Sequence, residues 1–586
     1  MRLLSRVSKA IAIVCVLLAF LFMTHSAIKY GLFLPNMDDW RYFSPGVMNW
    51  DEGFSPFTPI NDTISAVPFL LDQIIFRAIG YDFRSARLLS FGWVALYLWL
   101  VLKISNLISD KVFASVSILL AIFALRVGGY WDYPTYIAYH QALPLIFCIG
   151  IIYLTAKRFF DDEKAKRFHL FGIAALAMFA CLSYISGAVA VLALAGAYLL
   201  MASCSNAYKN SVLYTGVVLG IVGVLGFLFQ FLMVSAVQGD LLSHSHARSN
   251  VFPNDSRFWF FAFGILAKSI GSDGVGFVVN FVVVPLIFVG IAGVAAFGLF
   301  KFCRFDKYEG EKEDGIAELI CIPALFVLCG YVFVVSFGRG GFLPGGFDFR
   351  EISIAKGRFH FWWVSALIPL LIFSIYPFFK NSIRSCVALS VISIYLIFQF
   401  IQYSTFDWNG RFLALAEVEE KGVECLEQKM SMQDTPVVCV DLHPSDIRRE
   451  VKKYGGESNS WTEKLENGIK LEFIDAPFFD ARPYGHLDEN SEREALRFIK
   501  GWMPLDFSSA DVSFYILTNK SITAPIKGRV YYVRRNDVVK ALNRRDLVFS
   551  GFGLILNSTI SVKCIYAKKG NEIYYPKEFS KQNCEE

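Results

Sequence analysis

Charge is scarce in this sequence. Of its 586 residues only 18% are charged, while 55% are hydrophobic and 16% are aromatic. Soluble domains carry about 25% charged residues. The deficit is also local, because residues 170–202 contain no Asp, Glu, Lys or Arg. Runs of about 18 or more apolar residues can cross a bilayer core as helices. These features predict a polytopic α-helical membrane protein.

Other absences narrow the function. Net charge is only +5, from 56 Lys and Arg against 51 Asp and Glu, too mild to suggest a nucleic-acid partner. No Walker motif and no G-x-G-x-x-G after a strand occurs, which argues against ATP-driven transport and dinucleotide chemistry. No CxxC or Cys/His spacing suggests zinc. His244 and His246 form an H-x-H, but without a nearby carboxylate or cysteine they make a poor metal site. Eight of the twelve cysteines lie in or beside apolar runs and read as small packing residues. The other four, Cys425, Cys439, Cys564 and Cys584, lie in a polar tail where three pairings are open.

The N-terminus carries Arg2, Arg6 and Lys9 ahead of an apolar run with no clean cleavage site, and reads as a retained first helix. Further spans are expected near 87–108, 112–127, 139–157, 212–236, 275–300, 316–337, 360–379 and 383–403. Region 168–202 is too long for one comfortable crossing and has Ser183–Gly187 (SYISG) at its middle, which predicts two helices turning there. That turn places the basic loops KRFFDDEKAKR, KFCRFDKYEGEKED and KNSIR on the cytoplasmic side. The result is about eleven transmembrane helices over residues 1–403, with the N-terminus inside. Residues 404–586 are expected to form an extracytoplasmic soluble α/β or α+β domain, with VSFYILT and RVYYVRR among its strands. ISAVPFLLDQIIFRAIG reads as an interfacial helix with Asp72 and Arg77 as polar positions, and FWFFAFGILAKSI as one too short to span.

The chemistry-bearing residues fall in the loops expected to face outward. LPNMDDWRYFSPGVMNWDEGFSP holds Asp38, Asp39, Asp51 and Glu52 among Trp40, Tyr42, Phe43 and Trp50. A carboxylate partly desolvated by rings and beside a like charge has a raised pKa and can serve as a general base. Trp131, Asp132 and Tyr133 lie in RVGGYWDYPTYIAYH; such rings suit an interfacial belt and also a sugar face. Arg339, Arg350, Lys356, Arg358 and His360 crowd a Gly-rich stretch before an apolar helix, against the usual bias of that side. Phosphate is their natural partner, since Arg offers forked donors and Gly permits close approach; lipid head groups are the alternative.

MDDW in the first loop, KGRFHFWW before a late helix, and the overall plan resemble the GT-C superfamily of membrane glycosyltransferases. Within it the plan is most like the phage-type O-antigen glucosyltransferases of serotype conversion. The resemblance implies inverting transfer of a sugar from a polyprenyl-phosphate donor to a glycan acceptor, an O-antigen or other surface polysaccharide. It implies Asp38 or Asp39 as base, the cations from Arg339 to His360 on the donor phosphate, and Asp51, Glu52, Trp131, Asp132 and Tyr133 toward the sugars. It places the chain in the bacterial cytoplasmic membrane with a periplasmic tail, served by an upstream polyprenyl-phosphate sugar synthase and a flippase. It leaves open whether a divalent cation assists. A polysaccharide polymerase and a flippase of lipid-linked glycans are the rival expectations.

Overall fold

In a computed structural model the described residues are chiefly 63–79, 83–108, 111–124, 138–159, 163–204, 209–238, 250–270, 284–304, 312–343, 360–373 and most of 470–585, with isolated positions elsewhere. The chain divides into a helical unit, residues 1–31, 45–75 and 85–411, and a second unit, residues 32–44, 76–84 and 412–586, which holds the sheets.

The described helices of the first part are α1 (Ala66–Ile79), α2 (Phe83–Asn106), α3 (Lys111–Ala124), α4 (Ala138–Lys157) and α5 (Glu163–Ser183). They continue with α6 (Ile185–Cys204), α7 (Lys209–Gln238), α8 (Ser256–Ile270), α9 (Val284–Arg304), α10 (Lys312–Arg339) and α11 (Phe361–Leu371). Four of them, α5, α6, α7 and α10, are long and apolar enough to cross a membrane. This marks the chain as membrane-associated, but it corrects the expected count of about eleven among the described residues. For the two shortest of the expected spans the physical reason is length. α3 has 14 residues and α11 has 11, so even α3 reaches only ~21 Å at 1.5 Å per residue, short of a core of about 30 Å.

The apolar region 168–202 is two helices, as its central SYISG predicts, broken at the single residue Tyr184. The Ser183 hydroxyl donates to the Phe179 carbonyl at 2.6 Å, and the Gly187 amide turns back to the Tyr184 carbonyl at 2.9 Å. α6 and α10 form the centre, with 61% of their spans buried, whereas α5 and α7 are buried over only 22%. Phe168, Phe171, Ile221, Leu225 and Leu232 accordingly lie exposed on α5 and α7, a surface suited to lipid. Small residues set the inner spacing, as in other membrane bundles. A Cβ on Gly223 would come 2.9 Å from the Leu192 side chain, and one on Gly226 would come 2.5 Å from Cys181 Cβ.

Helix α1 departs from its interfacial reading. Asp72 and Gln73 are turned inward and are 0% and 2% exposed, while Ile74 is 66% exposed. Helix α8 is 15 residues, as its length predicts, and buries Phe258, Phe261 and Ile265 against α10 and α11.

The sheet unit holds β1 (Lys470–Ile474), β2 (Arg482–Pro483), β3 (His486–Arg493), β4 (Leu496–Trp502) and β5 (Val512–Thr518). It continues with β6 (Arg529–Val533), α12 (Asn536–Leu542), β7 (Gly551–Asn557), β8 (Val562–Lys569), β9 (Glu572–Tyr575) and α13 (Lys581–Glu585). One sheet runs β1-β5-β8-β9-β2 and the other β3-β4-β7-β6. Phe514, Ile516 and Ile565 of the first meet Ile499, Phe552 and Leu554 of the second in one core, so the sheets lie face to face. Central strand β8 buries Cys564–Ala567 on both faces, and Cys564 is bonded to Cys584 of α13.

Candidate functional site

The connected segments of the helical unit converge at one end of the bundle. Gly150 and Gly172 fit against Leu176 and Leu154, which sets α4 antiparallel to α5 and brings the start of α4 to the end of α5. Leu192 against Gly223 and Leu199 against Gly216 set α6 antiparallel to α7. Ala193 beside Gly330 and Gly196 beside Phe326 set α10 antiparallel to α6, and Tyr331 on Trp363 with Cys321 at the Leu371 carbonyl sets α11 antiparallel to α10. The end of α7, the break at Tyr184, the end of α10 and the starts of α4, α8 and α11 therefore lie together. The basic segments beginning at Lys157 and Arg304 leave from the opposite end.

At the first end, a buried amide ties the chain entering α1 to the bundle. The Gln230 side chain accepts from the Ile64 amide at 2.8 Å and donates to the carbonyls of Ile64 and Cys181 at 2.9 and 2.8 Å. The Thr63 hydroxyl accepts from the Ile185 amide at 2.9 Å and so caps α6 from a distant part of the chain. Replacing Gln230 by Leu strands three buried backbone groups, and is expected to destabilise the protein by about 2 kcal/mol or more. A detergent-solubilised thermal melt of Gln230→Leu checks this, and an unchanged midpoint would remove the anchoring role.

The second element is an aromatic wall. The Tyr331 ring stacks on Trp363 at 4.3 Å with 5° between planes, and both are almost fully buried. Tyr331 lies within electrostatic reach of Tyr184 and Arg339. Trp362 meets Tyr97 edge-on at 5.9 Å, and the Tyr97 hydroxyl donates to the Ala366 carbonyl at 2.9 Å, which fixes α11 against α2.

Basic residues lie at the same end. Arg339 closes α10 and is followed by a short 3-10 turn, Gly340–Phe342. Gly340 has to lack a side chain, because a Cβ would lie 2.4 Å from Val251 and 3.3 Å from the Arg257 carbonyl. Arg257 grips Asp255 through two guanidinium nitrogens at 2.6–3.1 Å, which holds the Asp255 carboxyl below its ordinary range. His360 precedes α11, is buried, and stands 6.0 Å from the Phe261 ring.

Of the sequence-predicted residues, Arg339 and His360 are thus brought to the same end. Asp38, Asp39, Asp51, Glu52, Trp131, Asp132, Tyr133, Arg350, Lys356 and Arg358 lie outside the described residues. The sequence reading missed one participant. Gln230 sits in an apolar run and gave no signal beyond being polar there. Asp72, buried in α1, is a separate candidate, since an acid inside an apolar helix is costly and marks function more often than packing. Among the described residues no group of His, Cys, Asp and Glu is arranged to hold a metal ion.

No family model, curated protein or solved structure matches this chain.

Proposed function

We propose that the chain is a membrane glycosyltransferase that moves a sugar from a polyprenyl-phosphate donor to a surface glycan at the outer face of the bacterial cytoplasmic membrane. The observation that carries this reading is the convergence of Arg339, His360 and the Tyr331–Trp363 wall with the Thr63–Ile64 anchor at one end of an apolar bundle. In the sequence an acid-rich segment precedes Thr63 and a cation-rich segment follows Arg339. The Lys- and Arg-rich connections attach at the opposite end, which favours that end as cytoplasmic. The Cys564–Cys584 bond favours an oxidising compartment for the tail.

In this mechanism Asp38 or Asp39 takes the proton of an acceptor hydroxyl as its oxygen attacks the anomeric carbon. The bond to the donor phosphate breaks with its electron pair leaving on the polyprenyl phosphate. Arg339, with Arg350, Lys356, Arg358 and His360, stabilises the charge that develops there. A single displacement inverts the anomeric centre. The donor arrives in the lipid, so no nucleotide-binding fold is required.

The test is mass spectrometry of the surface polysaccharide repeat from cells with wild-type or variant protein at matched membrane levels. Wild type adds one monosaccharide to the repeat. Removing the base by Asp38→Asn or Asp39→Asn should slow transfer by roughly 10²–10⁴-fold for the residue that acts. Arg339→Gln should slow it by on the order of 100-fold. Loss with Asp72→Asn alone would move the base to the buried acid of α1. Transfer that survives all four substitutions would sink the proposal.

A further inference from the structure

Among the described residues of the sheet unit, Tyr484 is the one large apolar side chain that stands exposed, at 41%. It does not stand alone. Its ring meets Trp502 at 6.1 Å and 84°, and Tyr574 at 6.4 Å and 64°, and both of those rings are partly open to solvent. Lys577 Nζ lies 5.6 Å from the Tyr484 centroid. Three neighbouring rings at a surface, with a cation against one of them, are not what burial requires.

The backbone builds this corner deliberately. β2 and β3 are edge strands of the two different sheets, and Tyr484–Gly485 is the link between them. The Tyr484 amide donates to the Tyr575 carbonyl at 3.0 Å, which ties it to the first sheet. Gly485 ties it to the second: a Cβ there would lie 2.4 Å from the Trp502 carbonyl. Arg482 pairs with Tyr574 across β2 and β9, and His486 pairs with Trp502 across β3 and β4. Trp502 and Tyr574 are therefore set by ladder register, and Tyr484 by its amide bond to the Tyr575 carbonyl.

The rim is polar and of mixed sign. Glu578 holds the His486 ring and accepts from the Leu487 amide at 2.9 Å. Arg482, Arg544 and Glu572 stand close enough to Tyr574 to act on its hydroxyl electrostatically.

We propose that Tyr484, Trp502 and Tyr574, with Arg482, His486 and Glu578 at the rim, form a carbohydrate-binding platform. A pyranose has an apolar C–H face and a periphery of hydroxyls that both donate and accept. Rigid aromatic rings meet the first at little entropic cost, and charged donors and acceptors of both signs meet the second. An anionic membrane surface would favour cations of one sign, whereas Glu572 and Glu578 belong to this rim. A peptide added as a strand to β2 would find only two residues, one of them Pro483. That the occupant is the acceptor glycan rests on the transferase reading; that the platform binds glycan does not.

The test uses the full chain in detergent micelles, run in native gels containing delipidated surface polysaccharide from the source cells. Wild type is expected to be retarded, and Tyr484→Ala/Trp502→Ala to lose at least ten-fold in apparent affinity. Tyr484→Phe, which keeps the ring, retains most of it. Equal thermal midpoints with and without the double substitution show that folding is not the cause. Equal retardation of wild type and the double variant overturns the platform, as does an unretarded wild type, or one that instead floats with protein-free anionic vesicles through these residues. Asp38→Asn/Asp39→Asn should be retarded like wild type. If transfer is never found yet retardation still depends on Tyr484 and Trp502, the transferase reading fails and the platform stands.

Discussion

A single methyl group at Gly187 is expected to deplete folded protein from the membrane. In Gly187→Ala the new Cβ would fall 2.1 Å from the Ala180 carbonyl oxygen and 2.8 Å from the Pro144 ring. Neither neighbour can move aside. The first is helix backbone on α5 and the second is a ring inside α4, so three helices have to separate together. Overpacking a core costs about 1–3 kcal/mol when side chains can adjust, and the upper part of that range applies where they cannot. The separation would also pull Ile185 from Thr63, and with it the cap that anchors the chain before α1. The measurement is the melting midpoint and yield of solubilised protein beside Gly290→Ala, where a Cβ meets nothing within 4 Å. The control should gain slightly from helix propensity, by up to about 1 kcal/mol. Equal midpoints for Gly187→Ala and wild type would mean that the close approach at the break is not needed.

The break itself was legible because Ser and Gly cluster within an otherwise uncharged run, so periodicity and length pointed to two helices. VSFYILT and RVYYVRR were legible for a similar reason, since they alternate apolar and polar positions and match β5 and β6. HLDENSER was not: β3 has one large apolar residue and is held by its backbone ladder to β4, which leaves no mark on composition. Among the described residues span number was overestimated in part because hydropathy sees apolar runs, whereas crossing also needs length. A short apolar helix such as α3 or α11 serves equally well inside a bundle. At the site, Arg339 and His360 were legible as cations out of place. Gln230 and the exposed rings of Tyr484, Trp502 and Tyr574 were not, because their meaning comes from neighbours far away in the chain.

Breaking the Cys564–Cys584 pair should lower the midpoint of the sheet unit by roughly 10 °C. The bond joins cysteines 20 residues apart, a loop whose closure is worth about 3 kcal/mol in the unfolded chain. In a unit of this size that difference gives a shift of this order. The native contacts make it local as well. Cys584 is fully buried with Tyr566 and Tyr575, and the Tyr566 hydroxyl donates to the Cys584 carbonyl at 2.5 Å. Helix α13 has only five residues, too few to persist without that tether, so Cys564→Ser/Cys584→Ser should expose the face of β8 that it covers. Maleimide labelling of denatured protein gives an independent readout: reductant should add two more adducts in wild type than in the double variant. The same experiment bears on location, because such a bond persists only in an oxidising compartment. An equal gain on reduction in both would show the thiols reduced in the cell, and would count against an extracytoplasmic tail.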